Sequence, residues 1–247
     1  MSAPGRAPIP STTAMTSSTT ASSSANTTAF WERLWRSSGI QFVAFFIIAY
    51  LIYGYPPQVG ASPDALVAFY SGDRVRILIA TIFLGLNVLN LMWFAAALRA
   101  TLADAGQDGW GAAATASSAA FGGLYLMLVS LDAALAYSIA GSGNHAFALG
   151  LNDFTWALVV LTSFPRAMLI MSAAFGLWRA KLISNSLFAV GVAAVVLNVL
   201  GGTTWLSGFW APDGVYSRFI TPIVGLVWAL IVSRVLLTRS PATRAAW

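Results

Sequence analysis

Ala112–Ala140, AAATASSAAFGGLYLMLVSLDAALAYSIA, and Leu151–Trp178, LNDFTWALVVLTSFPRAMLIMSAAFGLW, decide the fold of this chain. Each run exceeds the roughly 20 apolar residues that a helix needs to cross a bilayer core of about 30 Å. Each also carries one charge where charge is expensive, Asp132 in the first and Arg166 in the second. A charged side chain deep in lipid costs at least about 2.5–3.5 kcal/mol. The short segment 141–150 joins the runs, so they read as an antiparallel helical hairpin. Both charges should face the bundle interior, and pairing with each other is their cheapest arrangement.

Composition supports a membrane reading. Hydrophobic residues make up 58% of the 247 residues and charged residues 9%, whereas soluble domains carry about a quarter. There is no cysteine, which excludes disulfides, thiolate metal sites and cysteine nucleophiles. The net charge of +5 does not imply nucleic-acid binding, because the basic residues sit at the ends of apolar runs, where they set topology.

Outward from the hairpin, the pattern gives an all-α, six-helix transmembrane bundle with a disordered N-terminal tail. Residues 1–29 are Ser/Thr/Ala-rich, cannot bury a core and should be disordered; Met15 lies inside this tail as an alternative start. Residues 30–238 form the transmembrane domain, with spans at about 36–55, 74–100, 112–140, 151–178, 184–205 and 216–237. Residues 239–247 form a short basic cytoplasmic tail. Phe30, Trp31 and Trp35 with Arg33 and Arg36 make an aromatic–basic anchor before the first span. A signal peptide cleaved near Val59-Gly60-Ala61 is the rival reading of that span. Ser62-Pro63-Asp64 reads as the start of a short interfacial helix, with Ser62 as cap and Pro63 at its first position.

Six spans put both termini on one side of the cell membrane. With the termini cytoplasmic, Arg6, Arg33, Arg36, Arg99, Arg179, Lys181, Arg234, Arg239 and Arg244 lie inside, against Arg74, Arg76 and Arg218 outside. That bias obeys the positive-inside rule. Leu86-Asn87-Val88-Leu89 recurs as Leu197-Asn198-Val199-Leu200, a short match that an inverted repeat would place in equivalent spans.

The polar residues inside the spans are the candidate site. Counting back from Arg166, the residues Ser163, Thr162, Thr155 and Asn152 share one face of the fourth helix at 3.6-residue periodicity. Tyr125 and Asp132 share a face of the third helix, and Asn198 lies in the outer half of the fifth. These residues suggest an outward-facing polar vestibule that ends at Arg166. Pro165 cannot bond the carbonyl of Leu161 and should kink the fourth helix there as a hinge. In this reading Arg166 binds an anionic group, and Asp132 either holds Arg166 or carries a proton. The competing reading makes Asp132–Arg166 a packing lock, and Asn87, Asn90, Asn198 and Gly201-Gly202 packing features.

Much chemistry is missing. His145 is the one histidine and Glu32 the one glutamate, so there is no metal set, no haem ligation and no paired acid–base carboxylates. No Gly-rich phosphate loop and no G-x-S-x-G elbow occurs. No cofactor is expected, and the chain leans away from being an enzyme, although Asp132 and Tyr125 could move protons.

Trp93-Phe94-Ala95-Ala96-Ala97-Leu98-Arg99 at the end of the second span, Phe164-Pro165 in the fourth and Trp228 in the sixth give the layout its character. Over about residues 30–238 it resembles a group of actinobacterial six-span integral membrane proteins with no assigned activity. The resemblance implies architecture alone. The chain departs from that group at Arg179-Ala180-Lys181-Leu182, where related proteins often have a Pro-Arg-Trp step. The expected partners are the lipid bilayer and either a small-molecule ligand, bound or transported through the vestibule, or a second copy or partner subunit; nucleic acid is not among them.

Overall fold

The computed structural model describes residues 30–238. The tails at 1–29 and 239–247, with the disorder expected of the first and the cytoplasmic placement expected of the second, lie outside the described residues. The described residues are helical, without strands.

Helix α1 (Phe30–Arg36) meets α2 (Ser38–Tyr53) at a bend of 53°. The bend falls at Ser37, whose hydroxyl donates to the Leu34 carbonyl at 2.8 Å and accepts from Gln41 Nε2 at 2.9 Å. A serine that bonds nearby backbone competes with the helix ladder, which is why the break sits here. Gly54 ends α2 with φ 78° and ψ −149°, a conformation open essentially to glycine alone. Helix α3 (Pro63–Leu66) starts as its sequence suggests, with the Ser62 hydroxyl accepting from the Ala65 amide at 3.3 Å. A π-helical turn, Val67–Ser71, follows.

Helix α4 spans Arg74–Asp104, and α5 spans Asp108–Ala134 with a π-turn, Leu135–Ile139, at its end. Helices α6 (His145–Leu161) and α7 (Ser163–Arg179) form one long stretch interrupted at Thr162. The interruption falls next to Leu161, whose carbonyl Pro165 cannot bond. Helix α8 is Asn185–Gly201; α9 is Thr221–Thr238 and is preceded by a π-turn, Tyr216–Ile220. Pro222 explains that turn: it cannot bond the carbonyl of Arg218 four residues back, and the ladder widens there.

By length and composition, four stretches can cross a membrane: Arg74–Asp104, Asp108–Ile139, His145–Arg179 and Tyr216–Thr238. The bent α1–α2 pair makes a fifth. Helix α8 has 17 residues, about 26 Å at 1.5 Å per residue, short of a full core of about 30 Å. The expected fifth span, at about 184–205, is therefore shorter than the other five. Helix α8 stops where Gly201 abuts Thr221 and Ser163 and Gly202 abuts the Phe164 ring.

The helices alternate in direction, and close contacts fix which ends meet. At one end Gly39 meets Ser233 and Phe94, Gly111 meets Arg99, and Gly176 meets Leu102 and Trp110. This is the arginine-rich end. At the opposite end Gly141 meets Ser71, and Arg74 lies 4.5 Å over the Tyr137 ring. The largest apolar core sits toward the arginine-rich end, around Phe42, Phe94, Leu98, Leu177, Trp228 and Leu236. The opposite half has less apolar packing, and the cavity lies there.

Candidate functional site

Asp132 and Arg166 do not pair. The ion pairs among the described residues are Arg36–Glu32 at 3.1 Å and Arg76–Asp73 at 2.6 Å, both local and near helix ends. The hairpin register explains the correction. Trp110 stacks on Phe175 at 5.3 Å, and the Arg166 guanidinium lies 5.7 Å from the Phe121 ring. Arg166 is thus level with Phe121, and Asp132 stands eleven residues further along α5, about 16 Å or three turns away. An arginine side chain cannot span that rise, so the expected Asp–Arg lock is not formed.

Arg166 instead finds neutral partners. Its Nε donates to Asn198 Oδ1 at 2.6 Å and its Nη2 to Ser163 Oγ at 3.1 Å. Asn198 is turned for this role, because its Nδ2 donates to the Ala194 carbonyl at 2.9 Å. Two glycines make the room. A Cβ on Gly225 would stand 3.0 Å from Arg166 Cδ, and one on Gly201 would stand 2.9 Å from Ser163 Oγ. The guanidinium charge is solvated by an amide, a hydroxyl and an aromatic face, with no carboxylate.

Asp132, 4% exposed, sits among phenols. Tyr70 Oη donates to Asp132 Oδ1, or to Asn152 Oδ1, each at 3.3 Å. The Tyr53 phenol lies beside both Asp132 and Tyr70. Burial first, and then the Asp132 charge, push the Tyr70 phenol above its ordinary pKa, so it keeps its proton. Asn152 is fully buried, and its Nδ2 donates to the Gln58 carbonyl at 3.1 Å.

Both ionisable groups line one cavity of about 140 Å³, together with Tyr53, Tyr70, Tyr125, Thr155, Trp156, Thr162 and Arg218. A second cavity of about 50 Å³ lies toward the arginine-rich end, among Phe42, Leu91, Phe94 and Trp228. The two share Phe46, Tyr125, Arg166 and Pro222 as lining. Tyr125 lies within electrostatic reach of both Asp132 and Arg166, and so stands between them.

Arg218 is the residue that sequence reasoning missed. It reads as an outer-loop charge, yet it is 6% exposed. Its guanidinium lies over the Tyr55 ring at 4.0 Å and the Trp156 ring at 4.7 Å. Only Nη2 has a protein partner, the Pro56 carbonyl at 3.5 Å; Nε and Nη1 are buried without one. The available signal was Pro222, four residues on, whose missing amide opens the π-turn that carries Arg218 inward. Tyr53, Tyr70 and Trp156 were missed as well, since an aromatic in an apolar run reads as packing.

The remaining predicted residues are dispersed in role. Thr155 and Thr162 line the cavity, but their hydroxyls donate to their own helix, to Asn152 O at 2.7 Å and Val159 O at 2.6 Å. Ser163 serves Arg166. Pro165 accounts for the break at Thr162. The expected polar vestibule is thus a chamber of mixed aromatic, aliphatic and polar lining, and the segment from Pro56 to Gly60 covers it. That segment is held by Trp156 Nε1 donating to Pro57 O at 2.9 Å and by the Gly60 amide donating to Asp153 Oδ1 at 3.1 Å. Asp153 is thereby a latch for this loop. Asn87 bonds the Phe42 carbonyl across α2 and α4, while Asn90 Nδ2 bonds its own helix at Leu86 O at 2.9 Å. Asn87 and Asn198 therefore play different parts despite their shared tetrapeptide. Among the described residues no three His, Cys, Asp or Glu side chains converge to hold a metal.

The site thus combines two arginines without counter-ions, a carboxyl held by phenols, and an aromatic wall around a space of small-molecule size. No family model, curated protein or solved structure matches this chain.

Proposed function

We propose that this is a six-span protein of the cell membrane, with its arginine-rich end and both termini cytoplasmic, that binds a small anion with an apolar body in the cavity of its outer half. The observation that carries this reading is the pair Arg166 and Arg218. Both line one cavity, and neither is neutralised by a carboxylate. A buried charge without a counter-ion is costly, and an anionic ligand in the cavity between the two lowers that cost. The aromatic and aliphatic wall suits an apolar body. The volume compares with the roughly 150 Å³ of an apolar cavity that takes up benzene, so the ligand is about one ring or a short chain in size.

The second cavity favours passage over storage. The lining shared at Phe46, Tyr125, Arg166 and Pro222 stands between it and the first, so movement of these side chains would extend the outer chamber toward the arginine-rich end. The actinobacterial six-span proteins that the sequence resembles are, on this proposal, its relatives in architecture.

The test is calorimetric titration of the detergent-solubilised protein with toluenesulfonate, an anion of the required size that stays ionised throughout. Binding is expected to weaken at least about tenfold, or about 1.4 kcal/mol, in Arg166→Gln and in Arg218→Gln. Equal affinity in the wild type and both variants, or tighter binding of uncharged toluene than of the sulfonate, refutes the anion reading.

A further inference from the structure

We infer that Asp132, with Tyr53 and Tyr70, is an exchangeable proton-binding site of the cavity, so that the anion held at Arg166 and Arg218 is taken up together with a proton. The coupling rests on the anion reading above; the proton site does not.

The argument starts from the count of donors and acceptors. The Asn152 amide is fixed, because Nδ2 donates to the Gln58 carbonyl at 3.1 Å, a group that can only accept. Its Oδ1 therefore faces Tyr70, where it too can only accept. Tyr70 has one hydrogen and lies 3.3 Å from two acceptors, Asn152 Oδ1 and Asp132 Oδ1. With Asp132 ionised, the hydrogens of Tyr53 and Tyr70 serve Asp132 and Asn152 Oδ1 between them. With Asp132 protonated, every group is satisfied: the Asp132 O–H donates to the Tyr70 oxygen, the Tyr70 O–H to Asn152 Oδ1, and Asn152 Nδ2–H to Gln58 O. The ionised state is also served, because the Tyr70 hydroxyl can swing to Asp132 and the Tyr53 phenol lies alongside. Exchange between the states asks only for rotation of a hydroxyl.

Charge balance points the same way. A buried carboxyl needs a cation or a proton. The groups that face the cavity around Asp132 are Tyr50 and Tyr53 from α2, Tyr70 from the turn before α4, Tyr125 from its own helix, Arg166 from α7 and Arg218 from the turn before α9. Helix α4 contributes Leu84, which does not titrate. Neither arginine bonds Asp132. The chain from Asp132 ends at the carbonyl of Gln58, an exposed residue of the covering loop, so the proton site lies close to the surface on that side. An anion bound at the arginines brings negative charge toward Asp132 and so raises its affinity for a proton, which links the two uptakes.

Two measurements separate this from the anion reading. Infrared spectroscopy of the purified protein should show the carbonyl stretch of a protonated carboxylic acid that titrates with pH, is lost in Asp132→Asn and changes frequency in Tyr70→Phe. Should Asp132→Asn fail to fold, the Tyr70→Phe shift alone carries the assignment. Absence of such a band at every pH at which the protein is folded, or a band indifferent to both substitutions, overturns the proton site. Toluenesulfonate binding enthalpies measured in buffers of different ionisation enthalpy then give the protons taken up. The expected uptake passes through a maximum with pH, approaching about one proton per anion, and disappears in Asp132→Asn, whose affinity no longer depends on pH. Binding without uptake overturns the coupling and leaves the anion reading intact. The infrared band without any toluenesulfonate binding leaves the proton site standing and refutes the anion reading.

Discussion

Replacing Asn198 should destabilise this protein through Arg166, and replacing Asp132 should not. Arg166 Nε donates to Asn198 Oδ1 at 2.6 Å, a hydrogen bond from a charged donor, worth about 1.5–3 kcal/mol. That exceeds the roughly 0.6 kcal/mol average of interhelical hydrogen bonds in membrane proteins. The perturbation is a pair of double-mutant cycles, Arg166→Met with Asn198→Leu and Arg166→Met with Asp132→Asn. In the first, Asn198→Leu alone leaves a buried guanidinium short of a partner, while the double variant leaves an apolar contact. The coupling should therefore be about 1.5–3 kcal/mol, with the double variant more stable than the two single losses predict. In the second, the rise of about 16 Å along α5 separates the groups. Two full charges at that distance, at an effective dielectric of about 20, would still couple by about 1 kcal/mol; a proton on Asp132 takes this toward zero. Equilibrium unfolding in mixed micelles of dodecyl sulfate, followed by far-ultraviolet circular dichroism, reads both cycles. A larger coupling for Asp132 with Arg166 than for Asn198 with Arg166 would restore the ion-pair lock and refute the register argument.

Other outcomes follow from the same contacts. Arg218→Leu should leave stability unchanged or raise it, since a buried charge with unpartnered nitrogens is replaced by an apolar side chain, while toluenesulfonate binding is lost; a thermal midpoint lowered by several degrees counts against a charge kept for function. Gly191→Leu should lower stability by at least about 1–3 kcal/mol, because even a Cβ there comes 2.7 Å from both Ala174 Cβ and the Trp228 ring; an unaffected unfolding curve would contradict the α7–α8–α9 packing. Gly54→Ala should cost about 1–3 kcal/mol through its φ of 78° and ψ of −149° and loosen the covering loop, seen as faster proteolysis within residues 54–62; equal cleavage rates would contradict the latch. Reporter fusions after Arg179 and after Thr238 should both report the cytoplasm, and an external signal from either would remove the six-span topology.

The class of the fold was legible because it depends on composition and run length, which the sequence states directly. Long apolar stretches punctuated by arginines leave little besides helices, and the cap at Ser62 and the interruption near Pro165 follow from local chemistry. The site was only partly legible. Arg166 and Asp132 stand out as charges in apolar runs, but whether they meet depends on hairpin register. Trp110 on Phe175 and Phe121 under Arg166 set that register, and no periodicity reveals it. Arg218 was hidden for the opposite reason: near the start of a run it looks like a topology signal, and only the π-turn ahead of Pro222 carries it into the cavity. The phenols of Tyr53 and Tyr70 gain meaning only once the covering segment folds back over α5 and α6, a long-range event.

The central claim is that the cavity of the outer half is an anion site. Its most direct test is an anomalous difference map from crystals of the wild-type protein grown with iodobenzenesulfonate. The account predicts an iodine peak inside the cavity, with the sulfonate within hydrogen-bonding reach of Arg166 or Arg218. A cavity without a peak at ligand concentrations that saturate other anion sites, or a peak confined to the protein's lipid-facing surface, would contradict it.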